Sequence, residues 1–262
     1  METTGLIAGV DRVVELAAVV FSGDEVGEAF SSLVNPGVPM PAAVTKVTGI
    51  TDRMLAGAAA PAGPLADFLR LLDQGTGVAH NAVFDVGFVL AEAQEAGLPL
   101  PRRPVLDTRR LARAAFPGRF SYGLGYLGRE LGLDTTAAHR ALADAHACRS
   151  LFRACCRQLS QNAGPSAPSP SEEDLARLSG PLDFQDHAPR EPGIARLMKR
   201  AIDAGSAVHI RYRSSDGETT ERLVMPLSFT CVGGAPAVNA FCTLRNENRT
   251  FFLGSIREAR AP

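Results

Sequence analysis

Long hydrophobic runs are missing from this chain. The most apolar stretch, Val13 to Phe21, is interrupted by Glu15 and falls well short of the roughly 20 residues that a bilayer-spanning helix needs. No basic segment followed by an apolar run and a cleavage site opens the sequence, so the expectation is a soluble, cytoplasmic protein. Cysteine is scarce: Cys148, Cys155, Cys156, Cys231 and Cys242 make an odd number and contain no C-x-x-C pair. This argues against a disulfide frame or a cysteine zinc site and for free, buried thiols. Charge of one sign is also lacking, with 27 basic and 28 acidic residues and a net charge of −1. No global field draws in a polyanion, and any such contact has to be local. Lysine is nearly absent, as Lys46 and Lys199 only. The positive charge is therefore arginine, which suits bidentate phosphate contact, although compositional bias accounts for the preference equally well.

What is present is enough for a full core. The chain has 262 residues, 45% of them hydrophobic, which accommodates one domain and a second, smaller one. Val13, Val14, Val19 and Val20 predict a strand over Asp11 to Phe21, and Glu25 to Val34 a second strand antiparallel to it across Ser22-Gly23-Asp24. Asn35-Pro36-Gly37 closes this hairpin, and Thr51-Asp52 is placed to cap the next helix. Leu65, Phe68, Leu69 and Leu72 recur at helical spacing, and Gly77 to His80 reads as a buried strand end. A helix over Phe84 to Ala96, a strand at Pro104 to Leu106, and helices beginning at Asp107, Tyr122 and Arg140 follow. A strand hairpin followed by alternating strand and helix predicts a mixed α/β sheet with helices on both faces.

Residues 161–193 carry Pro165, Pro168, Pro170, Pro181, Pro189 and Pro192 among many serines, which predicts a linker with at most a short helix at Glu172 to Leu178. Beyond Gly193 an amphipathic helix (Ile194 to Ala204) precedes strands at Ala207 to Arg213, Glu221 to Val224, Ala237 to Leu244 and Thr250 to Leu253. They are separated by Ser215-Asp216-Gly217, Gly233-Gly234 and Asn246-Glu247-Asn248, which gives a small antiparallel β unit.

Three segments carry chemistry: Met1-Glu2-Thr3-Thr4-Gly5-Leu6, His80-Asn81-Ala82-Val83-Phe84-Asp85, and His139-Arg140-Ala141-Leu142-Ala143-Asp144. On residues alone, Asp85 could equally cap the following helix, and His139 and Asp144 could be ordinary residues at a helix start. His146, His187 and His209 have no such context. Together the three segments resemble the motifs of the DEDD-type 3′–5′ exonucleases of the histidine subtype, the family of the proofreading subunit of bacterial replicative polymerase and of ribonuclease T. The resemblance covers residues 1–160 and includes Thr48-Gly49-Ile50-Thr51-Asp52 and Tyr122-Gly123-Leu124. It implies a ribonuclease H-like α/β fold. Glu2, Asp85 and Asp144 would hold two Mg²⁺ or Mn²⁺ ions, and His139 would accept the proton of the attacking water. Thr3, Thr4, Gly5, Leu6, His80, Asn81 and Phe84 would border the 3′-terminal nucleotide. The chemistry is coherent, because a metal pair about 3.5–4 Å apart supplies the nucleophile and neutralises the phosphate, and hard oxygen ligands suit these ions.

In that family the first motif reads D-x-E-T-T-G, which would put its leading aspartate one residue ahead of Met1. The expectation is a start assigned too late, with Met1 at the variable position. A chain that truly began at Met1 would lack the family's central strand, bind metal weakly and have little activity.

Residues 194–262 resemble a WYL-type domain, a small β-barrel-like module, through Ile210-Arg211-Tyr212-Arg213, Glu221-Arg222, Pro226-Leu227 and Leu244-Arg245 to Arg249-Thr250-Phe251. Pro236-Ala237-Val238 stands at the naming triplet and Ser255 where an arginine is usual. This region holds ten basic residues against six acidic, and Arg211, Arg222, Arg245 and Arg249 are its ligand candidates, either for an anion or for single-stranded nucleic acid. Its phenylalanines read as core. The function expected is a metal-dependent 3′–5′ exonuclease acting on nucleic-acid 3′ ends, with DNA favoured and RNA left open. The alternative is a catalytically impaired nucleic-acid-binding or sensor protein on the same fold.

Overall fold

The computed structural model describes residues 1–133, 139–180, 182–184, 190–232 and 235–262. Pro181, His187, Pro189 and the Gly233-Gly234 turn lie outside the described residues. Two compact units form, one from Met1–Thr4 and Val13–His187 and the other from Gly5–Arg12 and Ala188–Pro262.

In the first unit, β1 (Glu2–Thr3), β2 (Val13–Ser22) and β3 (Glu25–Leu33) make an antiparallel sheet in that order. The β2–β3 hairpin runs from Glu15↔Leu33 to Ser22↔Glu25 and turns at Gly23, whose positive φ of 56° suits a residue without Cβ. Helices α1 (Ala42–Thr48), α2 (Asp52–Leu55) and α3 (Ala62–Leu72) follow. The Thr51 hydroxyl accepts from the Met54 amide at 3.4 Å, the cap the sequence predicts. Then come β4 (Gly77–Ala79), α4 (Ala82–Ala96), β5 (Val105–Asp107), α5 (Thr108–Ala115), α6 (Leu124–Glu130) and α7 (Ala141–Ala163). β4 and β5 pair in parallel from Gly77↔Val105 to Ala79↔Asp107.

The α/β architecture flanked by helices is as expected, but its hydrogen bonds fall into two sheets rather than one. The two-residue β1 reaches β2 only at Glu2↔Glu15 and Thr3↔Val13, and among the described residues no strand bridges β2 to β4. Between them lies a cleft of about 880 Å³, lined by Ala17–Ser22, Gly77–His80 and apolar side chains such as Phe68, Val89 and Phe152.

The expected linker is packed against this unit over much of its length. Helix α8 (Glu172–Ser179) begins with a reciprocal Ser171–Asp174 capping box and buries Leu175 in the cluster of Leu106, Leu111, Leu127 and Leu151. The Arg110 guanidinium donates to the Ser179 carbonyl at 3.2 Å, and Leu182 pairs its backbone with Val105. Leu175, Leu182 and Phe184, all buried, supply apolar surface that a count of prolines and serines passes over.

In the second unit, α9 (Arg190–Ala204) precedes β6 (Val208–Arg213), β7 (Thr219–Val232), β8 (Ala235–Cys242), β9 (Glu247–Phe252) and β10 (Ile256–Arg260). The antiparallel order is β10-β6-β7-β8-β9, so the sheet is open, not the closed barrel suggested by the family resemblance. Its apolar face is covered instead by α9, through Ala195, Met198 and Ala201 against Ile210, Val224, Val238 and Phe251. Strand β7 is longer than the expected Glu221–Val224 because the register shifts between Pro226 and Ser228, and a bulge accommodates a proline that has no N–H to donate. Strand β10 was not expected from the pattern at all. Ile7 is buried in the same core, and Gly9 adopts φ +85° with a hypothetical Cβ only 2.7 Å from the Pro192 carbonyl oxygen. Only glycine fits there.

Candidate active site

Two chain-distant carboxylates, Asp85 and Asp144, line one cleft of the first unit, and Glu2 lies in electrostatic reach of Asp144. Asp85 sits in the first turn of α4, a placement set by Asn81, which takes the left-handed conformation (φ 66°) just before the helix. The Asn81 amide donates to Asp107 Oδ1 at 3.0 Å and its own side-chain oxygen accepts from Arg109 Nη1 at 3.2 Å. Asp107 also caps α5 by accepting from the Arg109 amide at 2.9 Å. One buried carboxylate thus locks the turn that aims Asp85. Asp144 lies in the first turn of α7, and the His139 backbone amide stabilises its charged form. His139 is exposed and left-handed at φ 67°.

Asp85 and Asp144 line the cleft together with Met1, His80 and Phe84. Burial raises the pKa of Glu2, and the nearby Asp144 and Glu15 raise it further while the chain's terminal ammonium opposes them. Burial likewise raises Asp144, with Glu15 adding to it and His139 opposing. Asp85 is raised by burial too, against the same ammonium, which lies 3.5 Å from Asp85 Oδ1. The donor set, three carboxylates, fits hard divalent ions. In this arrangement no group of three or more His, Cys, Asp or Glu side chains among the described residues is close enough together to hold one.

His80 is tied into the fold at both nitrogens: Nε2 lies 2.9 Å from the Tyr122 carbonyl and Nδ1 2.9 Å from the Thr108 hydroxyl. Burial depresses its pKa. The Tyr122 carbonyl can only accept, so Nε2 carries the proton of that bond, while the Thr108 hydroxyl donates to the Ala79 carbonyl at 3.2 Å. Phe84 packs on Phe88 with ring centroids 4.8 Å apart. Thr3 and Thr4 are buried. Gly5 and Leu6 belong to the second unit, where Leu6 is 56% exposed, so the structure does not gather them with Thr3 and Thr4 in one unit. Their neighbour Ile7 is drawn into the other core, and the Ile7 amide donates to Asp11 Oδ2 at 2.8 Å.

One group that the motifs did not flag is Glu15, only 2% exposed. It accepts from Arg140 Nε at 3.2 Å, from Nη2 at 2.6 Å and from the Ala141 amide at 2.8 Å. It ties β2 to the start of α7, between His139 and Asp144. The signal was present in the sequence as a lone carboxylate on the inward face of an apolar strand. Glu92 does similar work on α4, accepting from the Val13 amide at 3.2 Å. The cysteines are free, as expected, and burial pushes the Cys148 and Cys155 thiols up to about 12.

In the second unit Arg222 and Arg249 line a cavity of about 240 Å³ with Tyr212, Ser214, Phe251 and Ser255. Arg222 lies 6.0 Å from the Phe251 ring. Arg211 instead pairs with Glu258 at 2.7 Å, and Arg245 does not line the cavity. Phe251 is core, as expected, edge-on to Tyr212. His146 is exposed and His209 half-buried on β6. No described helix is long and apolar enough to cross a membrane.

The chain belongs to the RNase_T exonuclease family, whose model matches residues 1–152, and a WYL domain model matches residues 193–261. It is 41% identical over 147 residues to a PolC-type DNA polymerase III of Bacillus cereus, covering 56% of this chain but 10% of that protein. It is 40% identical over 153 residues to the DNA polymerase III subunit epsilon of Treponema pallidum, covering 58% of this chain and 71% of that one. Among solved structures, cell-death related nuclease 4 superposes with a TM-score of 0.50 at 19% identity, over 62% of each chain, a likeness of fold.

Proposed function

We propose that the first unit is a 3′–5′ exonuclease that hydrolyses phosphodiester bonds at nucleic-acid 3′ ends by two-metal chemistry. What supports this reading is that Asp85 and Asp144, from segments far apart in sequence, line one cleft, with Glu2 in electrostatic reach of Asp144 and all three carboxylates shifted towards the protonated form. Partly burying acidic side chains beside a cleft costs stability, and a bound cation offsets that cost. Two Mg²⁺ or Mn²⁺ ions, when bound, would supply the hydroxide and neutralise the phosphate. His139, exposed at the helix start, takes the water's proton in this reading. Thr3, Thr4, Asn81 and Phe84 shape the pocket for the terminal nucleotide, with His80 holding its wall. The names of its polymerase relatives favour DNA over RNA. We assign Arg222 and Arg249 in the second unit to an anionic ligand, with Arg211 and Arg245 further out. If that ligand is nucleic acid, the unit raises its local concentration at the first.

The test is Mg²⁺-dependent shortening of a 5′-labelled DNA oligonucleotide, with an RNA of the same sequence and Asp144→Ala alongside. Stepwise loss from the 3′ end in the parent and none in the variant supports the reading. Equal activity in the two removes it.

A further inference from the structure

We infer that the loop between α5 and α6 presents Phe120 as a stacking platform for an unpaired nucleobase of the strand entering the cleft, a reading that rests on the nuclease proposal above. Phe120 is 94% exposed. A lone exposed apolar side chain is ordinary on a protein surface, so exposure alone carries nothing. Three further features set this one apart.

First, the loop is braced rather than slack. The Tyr122 hydroxyl donates to the Phe116 carbonyl at 2.8 Å and accepts from the Arg119 amide at 3.3 Å. The Arg113 guanidinium lies 5.3 Å from the Tyr122 ring centroid, and Arg119 lies 5.9 Å from that of Phe116 while pairing with Glu130 at 3.0 Å. A braced backbone reduces the ordering cost when the side chain it carries meets a partner. Second, Tyr126 stands beside it, ring centroids 6.3 Å apart at 49°, which widens the aromatic surface. Third, the local charge is strongly positive in a chain whose net charge is −1. Residues 108–130 hold Arg109, Arg110, Arg113, Arg119 and Arg129 against the single acid Glu130.

Arginine around an exposed aromatic ring, here Phe120 beside the half-buried Tyr126, offers what an unpaired polynucleotide requires, charge for the backbone and a flat face for the base. The loop is tied to a residue of the cleft: the carbonyl of Tyr122, two residues beyond Phe120, holds His80 at 2.9 Å, and His80 lines the cleft with Asp85.

The experiment compares a dT oligomer, which has a second base to stack, with the p-nitrophenyl ester of thymidine monophosphate, which has none. Phe120→Ala lowers the oligomer-over-ester preference in kcat/KM about five- to hundredfold, the span of base–aromatic stacking, and Phe120→Trp preserves it. An identical preference in parent and Phe120→Ala overturns the inference. If the parent hydrolyses neither substrate, the nuclease reading has failed on its own. Fluorescence anisotropy of a labelled dT oligomer then decides the platform separately, with loss of affinity in Phe120→Ala supporting it and equal affinity overturning it.

Discussion

Removing Glu15 is expected to loosen the start of α7 and with it the segment that carries His139 and Asp144. Its carboxylate is 2% exposed while the Arg140 side chain is 47% exposed, so the two ends of the pair contribute differently. The half-solvated guanidinium brings the pair toward surface values, about 1 kcal/mol. The buried Ala141 amide, which Glu15 holds at 2.8 Å, would be left unsatisfied at about 1–3 kcal/mol. Glu15→Ala should therefore cost roughly 2–4 kcal/mol, or about 5–15 °C in the melting temperature of a unit this size. Glu15→Gln keeps an acceptor for that amide and should lose about half as much. Thermal unfolding followed by circular dichroism measures the shift, and amide hydrogen exchange over Ala141 to Ala145 locates it. A loss under about 1 kcal/mol in Glu15→Ala, the size of an ordinary surface substitution, would refute the claim that this carboxylate anchors the helix.

Asp144→Asn should abolish nuclease activity yet raise the melting temperature of the metal-free protein at pH 7 by a few degrees, since it removes a partly buried charge from among like charges; scanning calorimetry reads both this gain and the lost response to Mg²⁺. The sign with pH follows from linkage. The raised folded-state pKa values of Glu2, Asp85 and Asp144 mean the native state binds more protons, so stability falls as pH rises from about 4 through those values. The advantage of Asp144→Asn over the parent should accordingly grow between pH 4 and pH 7, and a constant difference would argue that Asp144 is unperturbed. Gly9→Ala places a Cβ against the Pro192 backbone at φ +85° and should destabilise the second unit by about 1–3 kcal/mol, read from its urea transition. Arg222→Met should weaken binding of a phosphorylated ligand or DNA oligomer to the second unit while Arg211→Met, whose partner is Glu258, changes it less; isothermal titration compares the two.

Much of this protein was legible locally. The hairpin at Gly23, the helices bearing Asp85 and Asp144 and the caps at Thr51 and Asp107 are written in side-chain period, turn residues and capping oxygens, each of which acts within a few positions. So were the three acidic motifs, because their residue order is itself the signal. The expected strand stopped at Val224 whereas β7 runs on past Pro226, since a bulge is visible only once its partner strand is known. The docking of α8 escaped a reading by composition, because three buried apolar side chains outweigh many exposed polar ones. Tertiary structure alone decided that Glu15 meets Arg140 and the Ala141 amide, that Ile7 joins the second core while Thr3 and Thr4 stay with the first, and that Arg222 and Arg249 share a cavity from which Arg211 is withdrawn. Local propensity encodes what a segment becomes. Which groups meet across more than a hundred residues depends on strand register and helix placement, set by the whole core at once.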